Sequence, residues 1–147
     1  YNTGTFTAEN SSEINVSGKR SIGAYNSKTL TLDNGAKITG TAEDSTGIYA
    51  TAGKATNNGT ISKNGTSVKG LVVKGANDKI TNNNTVAVTG KEAVWAAALQ
   101  GTITTAAGSS ITADGTSGIA LYAGGTGGGT IEATGGTVEA KNGAINV

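Results

Sequence analysis

The chain lacks several residue types on which common protein chemistry depends. Its 147 residues include no Cys, His, Pro or Met, and aromatic residues make up only 4%. The absence of Cys excludes disulfides and thiolate sites, and the absence of His removes the commonest metal ligand and general base. Because large side chains are scarce, a conventional globular core is not expected. The composition therefore predicts no cofactor and no metal site.

Charge is also sparse, and it is balanced. Eleven Lys and Arg oppose ten Asp and Glu, which leaves a net charge of +1, and the basic residues are scattered along the chain. Nucleic acid is not an expected partner, because a surface that binds it concentrates positive charge. No apolar run approaches the ~18 residues of a membrane helix, so no membrane insertion of this segment is expected. The start at Tyr1 has no signal-like pattern, which indicates a processed or excised piece.

What the chain does contain is a repeat. A small, apolar, aromatic motif recurs at intervals of 24, 24, 23, 23, 27 and 23 residues, centred on Tyr1, Tyr25, Tyr49, Val72, Trp95, Tyr122 and Ile145. A second column recurs at intervals of 24, 23, 25, 25 and 27 residues, at Ile14, Ile38, Ile61, Val86, Ile111 and Val138. Two columns that share one period in a chain rich in Gly, Asn and Thr indicate a solenoid.

Each repeat reads as three short strands separated by turns that are rich in Gly and Asn. Such strands can pair only with their copies in the next repeat, in parallel and in register. The sequence therefore predicts an all-β fold: one parallel β-helix over residues 1–147, with about six rungs of ~24 residues and three strands per rung. The handedness rule for parallel crossovers favours a right-handed coil. The Ile14 column is expected inside, and the turn asparagines are expected to stack as amide ladders.

Strict alternation in the third strand of each repeat predicts that its central residue faces outward. In the same strands, Val94 is expected to face inward. The outward residues include four aromatics that form the candidate binding face: Tyr25, Tyr49, Trp95 and Tyr122. Two interpretations remain open. The rings could stack on one another for stability, or they could bind a glycan or a protein, because exposed aromatic side chains are good anchors.

No catalytic residues are predicted, because the chain has one Arg and no clustered carboxylates on one strand face. Glu43 and Asp44 are the only adjacent acids, and Lys19 and Arg20 stand 24 residues earlier, so cross-rung ion pairs are expected there. If polysaccharide cleavage were found, these two acids and Asp114 would be the first to mutate. The glycine-rich segment 124–129 lacks the Lys-Ser/Thr of a phosphate-binding loop, and we expect it to loop off the solenoid.

Several repeated units resemble the passenger repeats of large bacterial autotransporter adhesins, notably those of fusobacteria. They are Ser-Ile-Gly-Ala-Tyr, Ser-Thr-Gly-Ile-Tyr-Ala, Asn-Asn-Gly-Thr-Ile and Gly-Ile-Ala-Leu-Tyr-Ala, which occupy residues 21–25, 45–50, 57–61 and 118–123. The resemblance implies a secreted right-handed β-helix at the outer-membrane surface of a bacterium. It also implies a role in adhesion, with a protein or glycan of host cells or other bacteria as the partner.

The two ends of the sequence suggest an alternative. Tyr1-Asn2-Thr3 matches Tyr25-Asn26-Ser27, and Ile145-Asn146-Val147 is predicted to occupy the same phase, so the chain would hold a whole number of rungs with both ends uncapped. An uncapped rung exposes unpaired backbone groups. The chain is then either an excerpt of a longer passenger or the subunit of an extracellular fibre that stacks end to end.

Overall fold

A computed structural model describes residues 1–145 and shows an all-β protein with no helix in that range. No segment within it is a helix that could cross a membrane. The short strands are, in chain order, β1 Thr5–Ala8, β2 Glu13–Asn15, β3 Ile22–Asn26, β4 Thr29–Leu32, β5 Lys37–Gly40, β6 Thr46–Ala50, β7 Lys54–Asn57, β8 Thr60–Asn64, β9 Lys69–Val73, β10 Lys79–Asn82, β11 Thr85–Thr89, β12 Val94–Ala98, β13 Thr102–Thr105, β14 Ser110–Asp114, β15 Ile119–Ala123, β16 Thr130–Ala133 and β17 Thr137–Lys141.

Every strand pairs in parallel with the strand three places along the chain. The three sheets have the orders β1-β4-β7-β10-β13-β16, β2-β5-β8-β11-β14-β17 and β3-β6-β9-β12-β15. Each turn of the coil thus adds one strand to each sheet, and the chain completes about five turns. The predicted parallel β-solenoid with three strands per rung is confirmed, with slightly fewer full turns than the expected six.

The predicted interior column is confirmed residue by residue. Ile14, Ile38, Ile61, Val86, Ile111 and Val138 are consecutive partners in one sheet. The four central members are fully buried, and the two outer ones are partly buried. Each of the four fully buried side chains contributes about 1.5–3 kcal/mol through burial, so this column is a main source of stability.

Asparagine amides bond from rung to rung, both inside the coil and at its surface. Asn57 and Asn82, expected in turns, are instead the buried last residues of β7 and β10, where Leu32 stands one rung earlier. The Nδ2 of Asn57 donates to the Oδ1 of Asn82 at 2.7 Å, and a second rung-to-rung amide bond joins Asn83 to Asn58. The predicted amide ladder is confirmed at these two pairs. Because the amides bond along the stack, a polar residue can replace an apolar one inside.

The corner before the third sheet repeats one unusual backbone conformation. One residue per rung has a φ between 52° and 59°, at Arg20, Asp44, Ser67, Glu92, Ser117 and Asn142. Residues other than Gly rarely adopt this left-handed conformation. Its recurrence at the same corner shows that the turns, like the strands, are copies of one another.

Trp95 corrects the predicted register of the third sheet. Val94 pairs with Lys69, and Ala96 pairs with Leu71, which places Trp95 beside Gly70. The Trp95 side chain is fully buried, and its Nε1 donates to the carbonyl oxygen of Val86 at 2.7 Å. Trp95 therefore points into the core. Ala96, and not Val94, takes the inward position predicted for this strand.

Two further expectations about the last rungs are wrong. Ile145 lies in register with Ile119, three residues before Tyr122, so it does not share the phase of Tyr1. The rest of that predicted match, Asn146 and Val147, lies outside the described residues. Segment 124–129 also does not leave the solenoid, because the amide of Gly124 bonds to Ala98 and Gly128 closes a turn on Gly125. Its extra residues lengthen a turn that stays against the preceding rung.

Candidate functional site

The outward column of the third sheet contains three stacked tyrosines. The rings of Tyr1 and Tyr25 have centroids 4.8 Å apart and planes 22° apart. Those of Tyr25 and Tyr49 are 5.6 Å and 20° apart. The next positions hold Val72 and Ala97, and only then Tyr122. The structure thus brings Tyr25 and Tyr49 together, leaves Tyr122 isolated, and removes Trp95 from the candidate face.

The stacking decides which part of each ring can meet a ligand. Both faces of the Tyr25 ring are covered by the neighbouring tyrosines, so a ligand can reach only its edge and its hydroxyl group. Thr51 Oγ1 lies 3.1 Å from the Tyr25 hydroxyl and donates to it. Offset-stacked aromatic pairs contribute about 0.5–1.5 kcal/mol beyond their buried area. The arrangement therefore stabilises the rod and also presents a row of hydroxyl groups to solvent.

An open depression lies beside this stack. It has a volume of about 610 Å³ and is lined by Ile22, Tyr25, Tyr49, Thr51, Lys74 and Gly75. Ile22 is 39% exposed, which leaves an apolar surface next to the tyrosine hydroxyls. Apolar and hydrogen-bonding groups thus meet within one depression, as they do in many ligand sites. We call this surface the tyrosine face.

The corner on one side of the tyrosine face holds basic side chains that are paired with acids. Lys19 Nζ lies 2.9 Å from a Glu43 oxygen, and Asp44 is contacted by Arg20 at 3.9 Å and by Lys69 at 2.7 Å. The hydrogen bond and charge of Lys69, helped by Arg20, hold the pKa of Asp44 below its usual value. The predicted cross-rung ion pairs are confirmed, although exposed pairs of this kind contribute little to stability.

The corner on the other side carries lysines without acidic partners. Lys54 and Lys79 are directly opposite each other in β7 and β10. The amide of Lys54 bonds to the carbonyl oxygen of Lys28, and Lys74 lines the depression. All four side chains are exposed, and within residues 1–145 none forms an ion pair. We call these residues the lysine corner. The basic residues, scattered in the sequence, are therefore clustered in space.

Sequence reasoning missed two buried ionisable groups. Lys63 is 1% exposed and Asp78 is 5% exposed, and Lys63 Nζ and Asp78 Oδ2 have no hydrogen-bond partner among the described residues. Burial lowers the pKa of the Lys63 amine. Burial also raises the pKa of the Asp78 carboxyl, against the opposing effect of backbone amides. Alternation from Ile61 places Lys63 inside and could have revealed it.

The acids named as fallback catalytic residues do not form one site. Glu43 and Asp44 pair with basic side chains at their corner. Asp114 lies at the end of β14 and accepts a hydrogen bond from Asn142 at 2.6 Å. In the described part of the chain, no three acidic side chains are grouped so that they could hold a metal ion.

Comparison with known proteins adds no relative to this description. No family model, curated protein or solved structure matches the chain. Its class is therefore defined by the fold itself, which is a parallel β-solenoid with one aromatic face.

Proposed function

We propose that this chain is a non-catalytic adhesion segment of a bacterial surface protein, secreted and displayed outside the cell. It would act within an autotransporter-like passenger and attach to a glycan or protein on host cells or on other bacteria. The observation that carries the proposal is the tyrosine face, a set of stacked, partly exposed rings with their hydroxyl groups beside an open depression.

The fold supports such a role in two ways. Backbone pairing and buried columns continue from rung to rung, so the tyrosines are held on a regular scaffold and little order must be gained on binding. In addition, a solenoid presents a long surface with the same residue positions repeated along it, which suits an extended partner. The chemistry of the face, aromatic edges and hydroxyls, suits glycans and protein surfaces alike.

A double substitution, Tyr25→Ser with Tyr49→Ser, tests the proposal directly. We expect it to reduce attachment of the purified chain to bacterial and host cells and to a glycan array. Tyr122→Ser is the matched control, because Tyr122 is exposed but stands apart from the stack. Circular dichroism must show that both variants keep the β-fold. Equal attachment by the double variant and the control would remove the tyrosine face from the proposal, and polysaccharide cleavage would overturn the non-catalytic class.

The fibre subunit remains the second candidate. The observation that favours it is the parallel pairing of equivalent strands in all three sheets, because rungs of separate copies could pair in the same way. Light scattering across a concentration series distinguishes the two: growth of filaments favours the fibre, and a monomer at all concentrations rejects it.

A further inference from the structure

The lysine corner, formed by Lys28, Lys54, Lys74 and Lys79, has a charge arrangement that the fold does not require. Lys54 and Lys79 stand opposite each other on neighbouring strands, about 4.8 Å apart along the rod. Like charges in directly opposite positions destabilise a sheet. The equivalent residues in the neighbouring rungs are threonines, Thr29 and Thr102, which shows that an uncharged residue fits the same positions.

The charges at the other corner of the third sheet are arranged differently. Each basic side chain there, Lys19, Arg20 or Lys69, contacts an acid of a neighbouring rung. At the lysine corner the nearest acid in sequence is Asp78, which is buried and makes no ion pair with these lysines. A row of positive charge is thus left open to solvent along several consecutive rungs.

The same surface also offers uncharged hydrogen-bonding groups. A second open depression, of about 520 Å³, is lined by Ser27, Lys28, Thr29, Gly53 and Lys54. Lys74 belongs to the lining of the tyrosine-face depression, together with Thr51 and the two stacked tyrosines. Lysine side chains and hydroxyl groups therefore occur together in the lining of both depressions. Carboxylate or sulfate groups of a ligand would pair with the ammonium groups, and sugar hydroxyls would hydrogen-bond to the hydroxyl groups.

We propose that the lysine corner and the tyrosine face together bind an acidic polysaccharide, whose chain runs along the axis of the solenoid. Its carboxylates or sulfates pair with Lys28, Lys54, Lys74 and Lys79, and its hydroxyls bond to the tyrosine and threonine hydroxyls. This inference rests on the proposed adhesion function and specifies the chemical class of its partner. An acidic glycan is favoured over nucleic acid because both faces of the Tyr25 ring are covered, so a base cannot stack on the central ring of the tyrosine face.

The test compares binding of the folded chain to four immobilised probes. These are polygalacturonate, heparin, a neutral dextran, and a single-stranded oligonucleotide. We expect binding to at least one of the two acidic polysaccharides, none to dextran, and weaker binding to the oligonucleotide. Raising the ionic strength from about 0.05 M to about 0.5 M should weaken binding markedly, because exposed charges are then screened over a few ångströms.

The decisive variant replaces Lys28, Lys54, Lys74 and Lys79 by Gln. The matched control replaces four exposed lysines elsewhere, Lys19, Lys37, Lys91 and Lys141, and so removes the same charge. We expect the first variant to bind the acidic polysaccharide roughly tenfold more weakly or worse, and the control to lose much less.

Each outcome bears on the inference. Equal losses in the two lysine variants would show an effect of net charge alone and would overturn it, as would tighter binding to the oligonucleotide than to either polysaccharide. Cell attachment that depends on Tyr25 and Tyr49 but not on the lysine corner would reject the acidic glycan and leave the adhesion proposal standing. If the chain attaches to no cell but binds the acidic polysaccharide, the adhesion proposal fails alone.

Discussion

Two columns of inward-facing residues run side by side in the second sheet, two positions apart on the same strands. The first holds only Ile and Val and is regular throughout. The second holds, in order, Val16, Gly40, Lys63, Val88, Ala113 and Ala140. A Cβ atom at Gly40 would lie 2.8 Å from the Lys63 amine, so the missing side chain of one rung makes room for the long side chain of the next. Alternation fixes where a residue points, but the neighbouring rung decides what fits there.

The regular column should tolerate truncation worst. Ile61→Ala removes buried methylene groups between Ile38 and Val86 and leaves a cavity, so we expect a loss of about 2–5 kcal/mol in the free energy of unfolding. Ser62→Ala, on the outward side of the same strand, is the control and should change stability by no more than about 0.5 kcal/mol. Urea denaturation followed by circular dichroism measures both. A loss at Ile61 as small as that at Ser62 would show that the column does not carry the fold.

The irregular column should break at its glycine. Gly40 has a φ of 146°, and a side chain there would clash with the carbonyl oxygen of Val16 and with the Lys63 amine. We expect Gly40→Ala to cost about 2–4 kcal/mol. Gly4→Ala is the control, because an added Cβ at Gly4 has no neighbours within 4 Å. The same denaturation series applies, and equal stability of the two variants would contradict the packing account.

Making the irregular column apolar should increase stability. Lys63→Met keeps the length of the side chain and removes a buried amine that has no hydrogen-bond partner within residues 1–145, so we expect a gain of about 1–3 kcal/mol. Lys79→Met, on the solvent side of the first sheet, should gain at most about 0.5 kcal/mol, from removing the repulsion between Lys79 and Lys54. A loss of stability in the Lys63 variant would indicate that the amine has a partner that stabilises it.

Lys63 should also make stability depend on pH. Burial lowers the pKa of this amine in the folded chain below its usual 10.5, so the unfolded chain holds more protons between the two values. Stability therefore rises with pH through that window, by at most about 1.4 kcal/mol per pH unit. Subtracting the unfolding curve of Lys63→Met isolates this contribution, because the other titrating groups are common to both chains. A difference that is flat up to pH 10.5 would contradict the lowered pKa.

The smallest change in stability is expected on the outer surface of the sheets, where facing charges on neighbouring rungs can be compared. Lys54→Glu would place an acid directly opposite Lys79 and replace a like-charge pair by an opposite one. We expect a gain of about 0.2–1 kcal/mol that decreases with salt. Lys37→Glu, which lies opposite Glu13, should instead lose a similar amount. Thermal unfolding at low and high salt measures both, and changes of the same sign would contradict the role of the facing rung.

The sequence was sufficient to predict the solenoid, because period-2 alternation and the ~24-residue repeat agree in every rung around the Ile14 column. The prediction is wrong at Trp95, although the spacing of the interior column indicates the correct register. The interior column advances by 25 residues from Ile61 to Val86 and again from Val86 to Ile111. The same two intervals, counted from Val72, lead to Ala97 and then to Tyr122. Matching Trp95 by residue type gave 23 and 27 instead. Trp95 fits at the position that Gly70 occupies one rung earlier, because its side chain turns inward and bonds to Val86.

Other parts of the candidate site could not be read from the sequence. Lys28 and Lys54 are far apart along the chain, and only the register shows that they meet at one corner. The tyrosine column was predicted, but whether the rings lie open or cover one another depends on their rotation, which no pattern of residue types specifies. The ion pairs of Lys19 and Arg20 were predictable because Glu43 and Asp44 stand one repeat later. That spacing is not sufficient by itself, because within residues 1–145 Glu13 and Lys37 are cross-strand partners that form no ion pair.

The recurring left-handed corner residue has a consequence for how the molecule could change in size. The backbone has the same conformation at Ser67, Glu92 and Ser117. If the residues between two such corners were deleted, the chain would therefore continue in the same register. Excising the residues from 67 to 91 should therefore give a shorter rod whose remaining sheets close without a mismatch. The length of the rod would therefore change in steps of about 4.8 Å, one for each repeat gained or lost. Duplication or deletion of single repeats could adjust the reach of such a protein while the surfaces above and below stay intact.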